Sequence, residues 1–104
     1  MHEIVVRGLM EIKLSKTVLD HIAARHPEVA AYTNAIVKTA QDPDLIIRGL
    51  RGELKALKFY AELHIGPKYL IVVYHKLNEE KVITTAYFSN VNKAKGEIVW
   101  KKRH

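Results

Sequence analysis

Cysteine is absent from the 104-residue chain, which excludes disulfides, thiolate nucleophiles and cysteine zinc sites and makes a reducing compartment the default expectation. Proline (3) and glycine (5) are scarce, so no flexible linker divides the sequence, and neither repeats nor low-complexity stretches interrupt it. Long apolar runs are missing too. The longest, Tyr69 to Tyr74, is far too short to cross a bilayer, and Met1-His2-Glu3 lacks the basic start of a secretion signal. The expectation is one cytoplasmic domain over residues 1–104 with no membrane partner. Acidic residues are the minority charge: 11 Asp and Glu face 17 Lys and Arg, a formal balance of +6. A basic surface suits polyanions, RNA above all, although the same charge also serves solubility alone.

Hydrophobic residues make up 48% of the chain, enough at this length for a core without staples. Ile4 to Val6 and Met10 to Leu14, separated by Gly8, read as a short initial strand or a hairpin. Thr17 and Asp20 form a candidate capping box for a helix that should stop near His26, because Pro27 disfavours helical geometry in the residue before it. A second helix is expected from Pro27. It carries Glu28 at its positive end, buries Val29, Tyr32, Ile36, Val37 and Ala40, and ends at Asp42-Pro43-Asp44. From there the period changes to two. Leu45 to Arg48, Leu54 to Leu63, Tyr69 to His75, Val82 to Ser89 and Glu97 to Lys101 are predicted strands. Turns fall at Gly49 to Gly52, Gly66-Pro67, Leu77 to Glu80 and Asn90 to Gly96. Helices followed by strands predict an α+β fold, a twisted antiparallel sheet with the helices on one face.

On the first helix Val18, Leu19, Ile22 and Ala23 share one arc, with His26 at its centre. His26 is therefore either a neutral core residue or a group aimed into a cleft between helix and sheet. His21 and Arg25 lie one turn apart on the border of that arc. A titratable ring beside a permanent cation suits a phosphate ester, since the guanidinium can neutralise developing charge while the imidazole moves a proton; an ordinary exposed flank has the same spacing. Alternation in the Val82 to Ser89 strand sets Ile83, Thr85, Tyr87 and Ser89 on one side, where the hydroxyls serve either chemistry or strand propensity. Lys58, Tyr60, Glu62 and His64 share one side of an earlier strand, a face that could stack bases and hold phosphates or simply be solvated.

Other chemistries find little footing. There is no His-Glu-x-x-His signature or carboxylate cluster, so neither a metal nor another cofactor is expected. No Gly-x-Ser-x-Gly elbow is present, and Gly49-Leu50-Arg51-Gly52 is too short for a phosphate loop.

Taken as strings, His21-Ile22-Ala23-Ala24-Arg25-His26-Pro27-Glu28, Asp42-Pro43-Asp44, Phe59-Tyr60, Lys68-Tyr69-Leu70-Ile71-Val72-Val73 and Val82-Ile83-Thr84-Thr85-Ala86-Tyr87-Phe88, with Gly96 and Trp100, resemble the phage-associated branch of the barnase, EndoU, colicin and RelE superfamily of small nucleases. The resemblance runs from about Val18 to Trp100. It implies N-terminal helices packed on a four- or five-stranded antiparallel sheet, and metal-independent RNA cleavage in a toxin-like or phage-conflict role. Carried over by residue, it implies His21, Arg25, His26, Thr85 and Tyr87 as the catalytic set. Lys58, Tyr60, His64 and Lys68 complete the expected substrate contacts, Tyr60 and Lys68 through matched letters of the strings. RNA carries its own nucleophile, so His26 or His21 would exchange the proton, Arg25 would stabilise the phosphorane, and a 2',3'-cyclic phosphate would result.

Two other readings fit the same residues. One is a non-catalytic RNA- or ribosome-binding module whose charge comes largely from Lys93, Lys95, Lys101, Lys102 and Arg103. The other is an inactive toxin homologue paired with an acidic antitoxin or immunity protein through a sheet edge.

Overall fold

Ser15 starts the first helix. Its backbone is extended, and its Oγ accepts the Val18 amide at 3.2 Å, satisfying one of the free amides of a helix start. The capping box expected at Thr17 and Asp20 does not form; Asp20 meets Lys16 at 3.0 Å instead. This helix, α1 (Lys16–Arg25), ends at His26 (φ −137°, ψ 66°), the residue whose helical geometry the Pro27 ring obstructs. Pro27–Tyr32 then winds as a 3-10 segment rather than an α-helix, and α2 (Thr33–Gln41) follows. The computed structural model from which these elements come describes residues 11–90 and 96–102, and the backbone of 3–6.

The strands are β1 (Glu3–Val6), β2 (Glu11–Ser15), β3 (Leu45–Arg48), β4 (Leu54–Tyr60), β5 (Lys68–Leu77), β6 (Glu80–Ser89) and β7 (Glu97–Lys101). They lie in one sheet in the order β1-β2-β6-β5-β4-β3-β7. All neighbours are antiparallel except β2 and β6, which run parallel. This corrects the expected N-terminal helices on a four- or five-stranded antiparallel sheet: the sheet is larger and mixed, the chain is mostly strand with two short α-helices, and a hairpin precedes them. The cause lies in Ile12 and Leu14, which are 1% and 0% exposed. Their period of two gives β2 an apolar face that is buried only if the strand joins the sheet, and the outer edge of β6 supplies the ladder.

Ile12 and Leu14 share a core with Ile22, Val29 and Ile36 from the helical segments and with Ala56, Leu70, Val72, Tyr74, Ile83 and Ala86 from the sheet. Leu45, Ile47, Leu57 and Ile71 form a second cluster on the opposite face, with Val73 and Tyr87 against it. In β6 the expected strict alternation breaks. Val73 pairs with Thr85 but Tyr74 with Ile83, so Thr84 is an extra, bulged residue. Ile83 therefore faces the helices together with Ala86, while Thr85 and Tyr87 keep the other side. The β5–β6 hairpin extends to Leu77 opposite Glu80, with Asn78 at φ 61° in its turn. Gly96 (φ 136°) lies so near β3 that a Cβ would stand 2.1 Å from the Arg48 carbonyl oxygen, leaving glycine alone to fit. No helix among the described residues is long and apolar enough to cross a membrane.

Candidate functional site

β2 runs beside only Glu80–Val82 of β6. From Ile83 onward no strand covers that edge among the described residues, and α1 and the 3-10 segment pack against β6 instead. The end of α1 thereby comes to the bulged strand. His21, Arg25, His26, Thr85 and Tyr87 line one shallow, open pocket of about 440 Å³, a volume within the span of small-ligand sites. The sequence-predicted catalytic set is thus a spatial set.

Each member has a definite setting. His21 and Arg25 project from the exposed flank of α1. His26 is no core residue: its side chain is 34% exposed, its ring centroid lies 5.6 Å from that of Tyr87 at a 34° tilt, and Glu28 Oε1 stands 3.9 Å from its Nδ1. That contact becomes an ion pair when the ring is protonated and leaves Nε2 for a ligand. Burial pushes the Tyr87 phenol up, so it remains a hydrogen-bond donor through neutral pH. The Thr85 Oγ1 is buried and finds no partner among the described residues, at a cost on the order of 1–3 kcal/mol. Glu28 was legible only as a charge at a helix start, and its place beside His26 follows from the turn at Pro27.

The expected substrate contacts do not join this pocket. Lys58 Nζ donates to the Asp42 carbonyl at 3.0 Å and stands 3.5 and 3.8 Å from the Asp42 and Asp44 carboxylates. Tyr60 Oη lies 3.0 Å from Thr39 Oγ1 and donates to the Ala35 carbonyl at 3.3 Å. Both side chains fasten α2 to β4. They border a separate depression of about 360 Å³. His64 is exposed in the turn after β4, because the strand ends at Tyr60 rather than Leu63, and Lys68 bonds the Asn90 side chain. Lys102 reaches Asp42 at 3.2 Å; this hydrogen bond, with the charge of Lys58, holds the Asp42 carboxyl below the usual carboxylate range. Lys93, Lys95 and Arg103 lie outside the described residues, as does most of the Asn90 to Gly96 turn.

Among the described residues no group of three or more His, Asp or Glu side chains stands close enough to hold a metal ion. No protein-family model, curated protein or solved structure matches the chain.

Proposed function

We propose that the chain is a cytoplasmic endoribonuclease that cleaves RNA without a metal, at the pocket formed by the end of α1 and β6. The observation that carries this reading is the convergence of two imidazoles, a guanidinium and two hydroxyls on one open depression. RNA cleavage by internal transesterification needs that inventory because the 2'-hydroxyl is the nucleophile and the protein has only to move protons and neutralise charge.

A phosphodiester lies across the pocket with Arg25 on its non-bridging oxygens. His26, steadied by Tyr87 and Glu28, takes the 2'-hydroxyl proton as the oxygen attacks phosphorus. His21 gives a proton to the departing 5'-oxygen. The bond from phosphorus to that oxygen breaks, leaving a 2',3'-cyclic phosphate and a 5'-hydroxyl. Hydrogen bonds from Thr85 and Tyr87 tighten as negative charge builds on the phosphorane, which lowers the barrier more than it tightens ground-state binding.

The test is cleavage of labelled RNA with end-group analysis by mass spectrometry. His21→Ala/His26→Ala should lower the rate by at least about 10²-fold. Thr85→Val should lower it by about 10²-fold while stability stays level or rises, since the hydroxyl it removes has no partner among the described residues. An undiminished rate in the double histidine variant refutes the mechanism. Salt-sensitive binding of RNA that stays intact after long incubation replaces it with the binding-module reading.

A further inference from the structure

Beyond Gln41 no described residue covers the helix-side face of the sheet, and a groove of about 510 Å³ opens there with Leu54 and Tyr74 as its floor. Its rim carries Arg48, Lys76, Lys81 and Trp100. It shares no residue with the pocket at β6. We propose that this groove binds a nucleoside phosphate, the base stacking on Trp100 and the phosphate lodging among Lys76, Lys81 and Arg48.

The hairpin register sets Lys76 directly opposite Lys81. Like charges in that position repel, and a fold gains nothing from placing them so. The Arg48 and Lys76 side chains have no hydrogen-bond or ion-pair partner among the described residues. The Lys81 Nζ has, among the described residues, only the Ala40 carbonyl, at 2.5 Å, and the Tyr74 ring, whose centroid lies 5.3 Å away. Burial, then the neighbouring Lys76, lowers the Lys81 pKa, a tension that a bound anion relieves. Among the described residues that line the groove the one acidic side chain is Asp42, already held by Lys58 and Lys102; Glu97 lies outside that lining, opposite Arg48 in the β3–β7 ladder. The anion also has a flat neighbour. Trp100 pairs with Ile46 on this face and is 45% exposed, a large aromatic surface that free phosphate leaves in water and a base covers.

Trp100 is the single tryptophan, so its fluorescence reports on this groove alone. Excited at the red edge of indole absorption, where adenine is transparent, it should be quenched saturably by 5'-AMP, and adenosine should bind at least about tenfold more weakly. A 2'-O-methyl oligoadenylate, which cannot be cleaved by 2'-attack, separates the sources of the ligand. Tighter binding than 5'-AMP assigns the groove to single-stranded RNA, and weaker binding assigns it to a free nucleotide. Lys76→Ala/Lys81→Ala, with an unchanged circular dichroism spectrum, should lose about tenfold or more in affinity. Trp100→Ala, followed by calorimetry, should lose at least about fivefold. His21→Ala/His26→Ala should keep the full quench, so this proposal and the cleavage mechanism fail separately. No quench by 5'-AMP, affinity that survives loss of both lysines, or tighter quenching by an oligoglutamate peptide than by 5'-AMP overturns the assignment.

Discussion

Tyr60→Phe separates a structural from a substrate-binding role for a residue that the sequence suggests for RNA contact. In the fold its hydroxyl donates to the Ala35 carbonyl at 3.3 Å and accepts from Thr39, 3.0 Å away and 0% exposed. Burial raises the Tyr60 phenol pKa despite the opposing Thr39 hydrogen bond, so the donor persists at neutral pH. Removing the hydroxyl deletes two hydrogen bonds worth about 0.5–1.5 kcal/mol each. Thr39 can recover part of this by turning to the carbonyl one turn back in α2. The expected net cost is about 1–2 kcal/mol, a fall in Tm of roughly 5–10 °C for a domain of this size. Thr39→Val should cost about 1 kcal/mol, and the pair should couple by about 0.5–1 kcal/mol in a double-mutant cycle. Urea unfolding followed by circular dichroism measures all four corners, with RNA cleavage and binding assayed alongside. Strictly additive single effects refute the hydrogen bond. A loss of RNA affinity at unchanged stability refutes the structural role and returns Tyr60 to the substrate.

Tyr74 is 1% exposed, and burial pushes its phenol up to about 12. Above about pH 10 the unfolded chain loses this proton first, so the folded state binds more protons and its stability falls as pH rises toward about 12, by roughly 2–3 kcal/mol. Tyr60 and Tyr87 act in the same direction, whereas Lys81, whose folded pKa is lowered, acts in the opposite one. Tyr74→Phe should remove most of that alkaline fall in urea midpoints and change stability at pH 7 by less than about 1 kcal/mol; an identical alkaline slope would contradict the assignment. Ser15→Ala should cost about 1 kcal/mol through the lost Val18 cap, and Ser15→Gly only a few tenths. Thermal melts of both variants check this, and equal losses would show that the cap bond is not the source.

Much of the local order was legible in the sequence. Pro27 stops α1 at His26, Asp42-Pro43-Asp44 stops α2, and β3 and β7 run over Leu45–Arg48 and Glu97–Lys101 as their alternation predicts. Such signals need only a residue and its near neighbours, because backbone sterics and period-two patterning act over a few residues. The His21, Arg25 and His26 grouping is local in the same sense, since one helical turn brings it together.

Sheet membership, in contrast, is a property of pairs distant in the chain. β2 joins β6 because Ile12 and Leu14 must be buried, and no local pattern names the strand that receives them. The Thr84 bulge depends on how β6 registers with β5, so it too escapes a reading of β6 alone. Lys58 and Tyr60 read as ligand contacts until α2 supplies Asp42, Thr39 and the Ala35 carbonyl as their partners. Thr85 and Tyr87 meet the α1 histidines because β2 leaves the later part of the β6 edge open. Short-range sterics set on which turn or strand face each group sits; long-range burial of apolar surface, with the strand pairing and hydrogen bonds that accompany it, set which of those groups share a pocket, because only tertiary contacts link segments far apart in sequence.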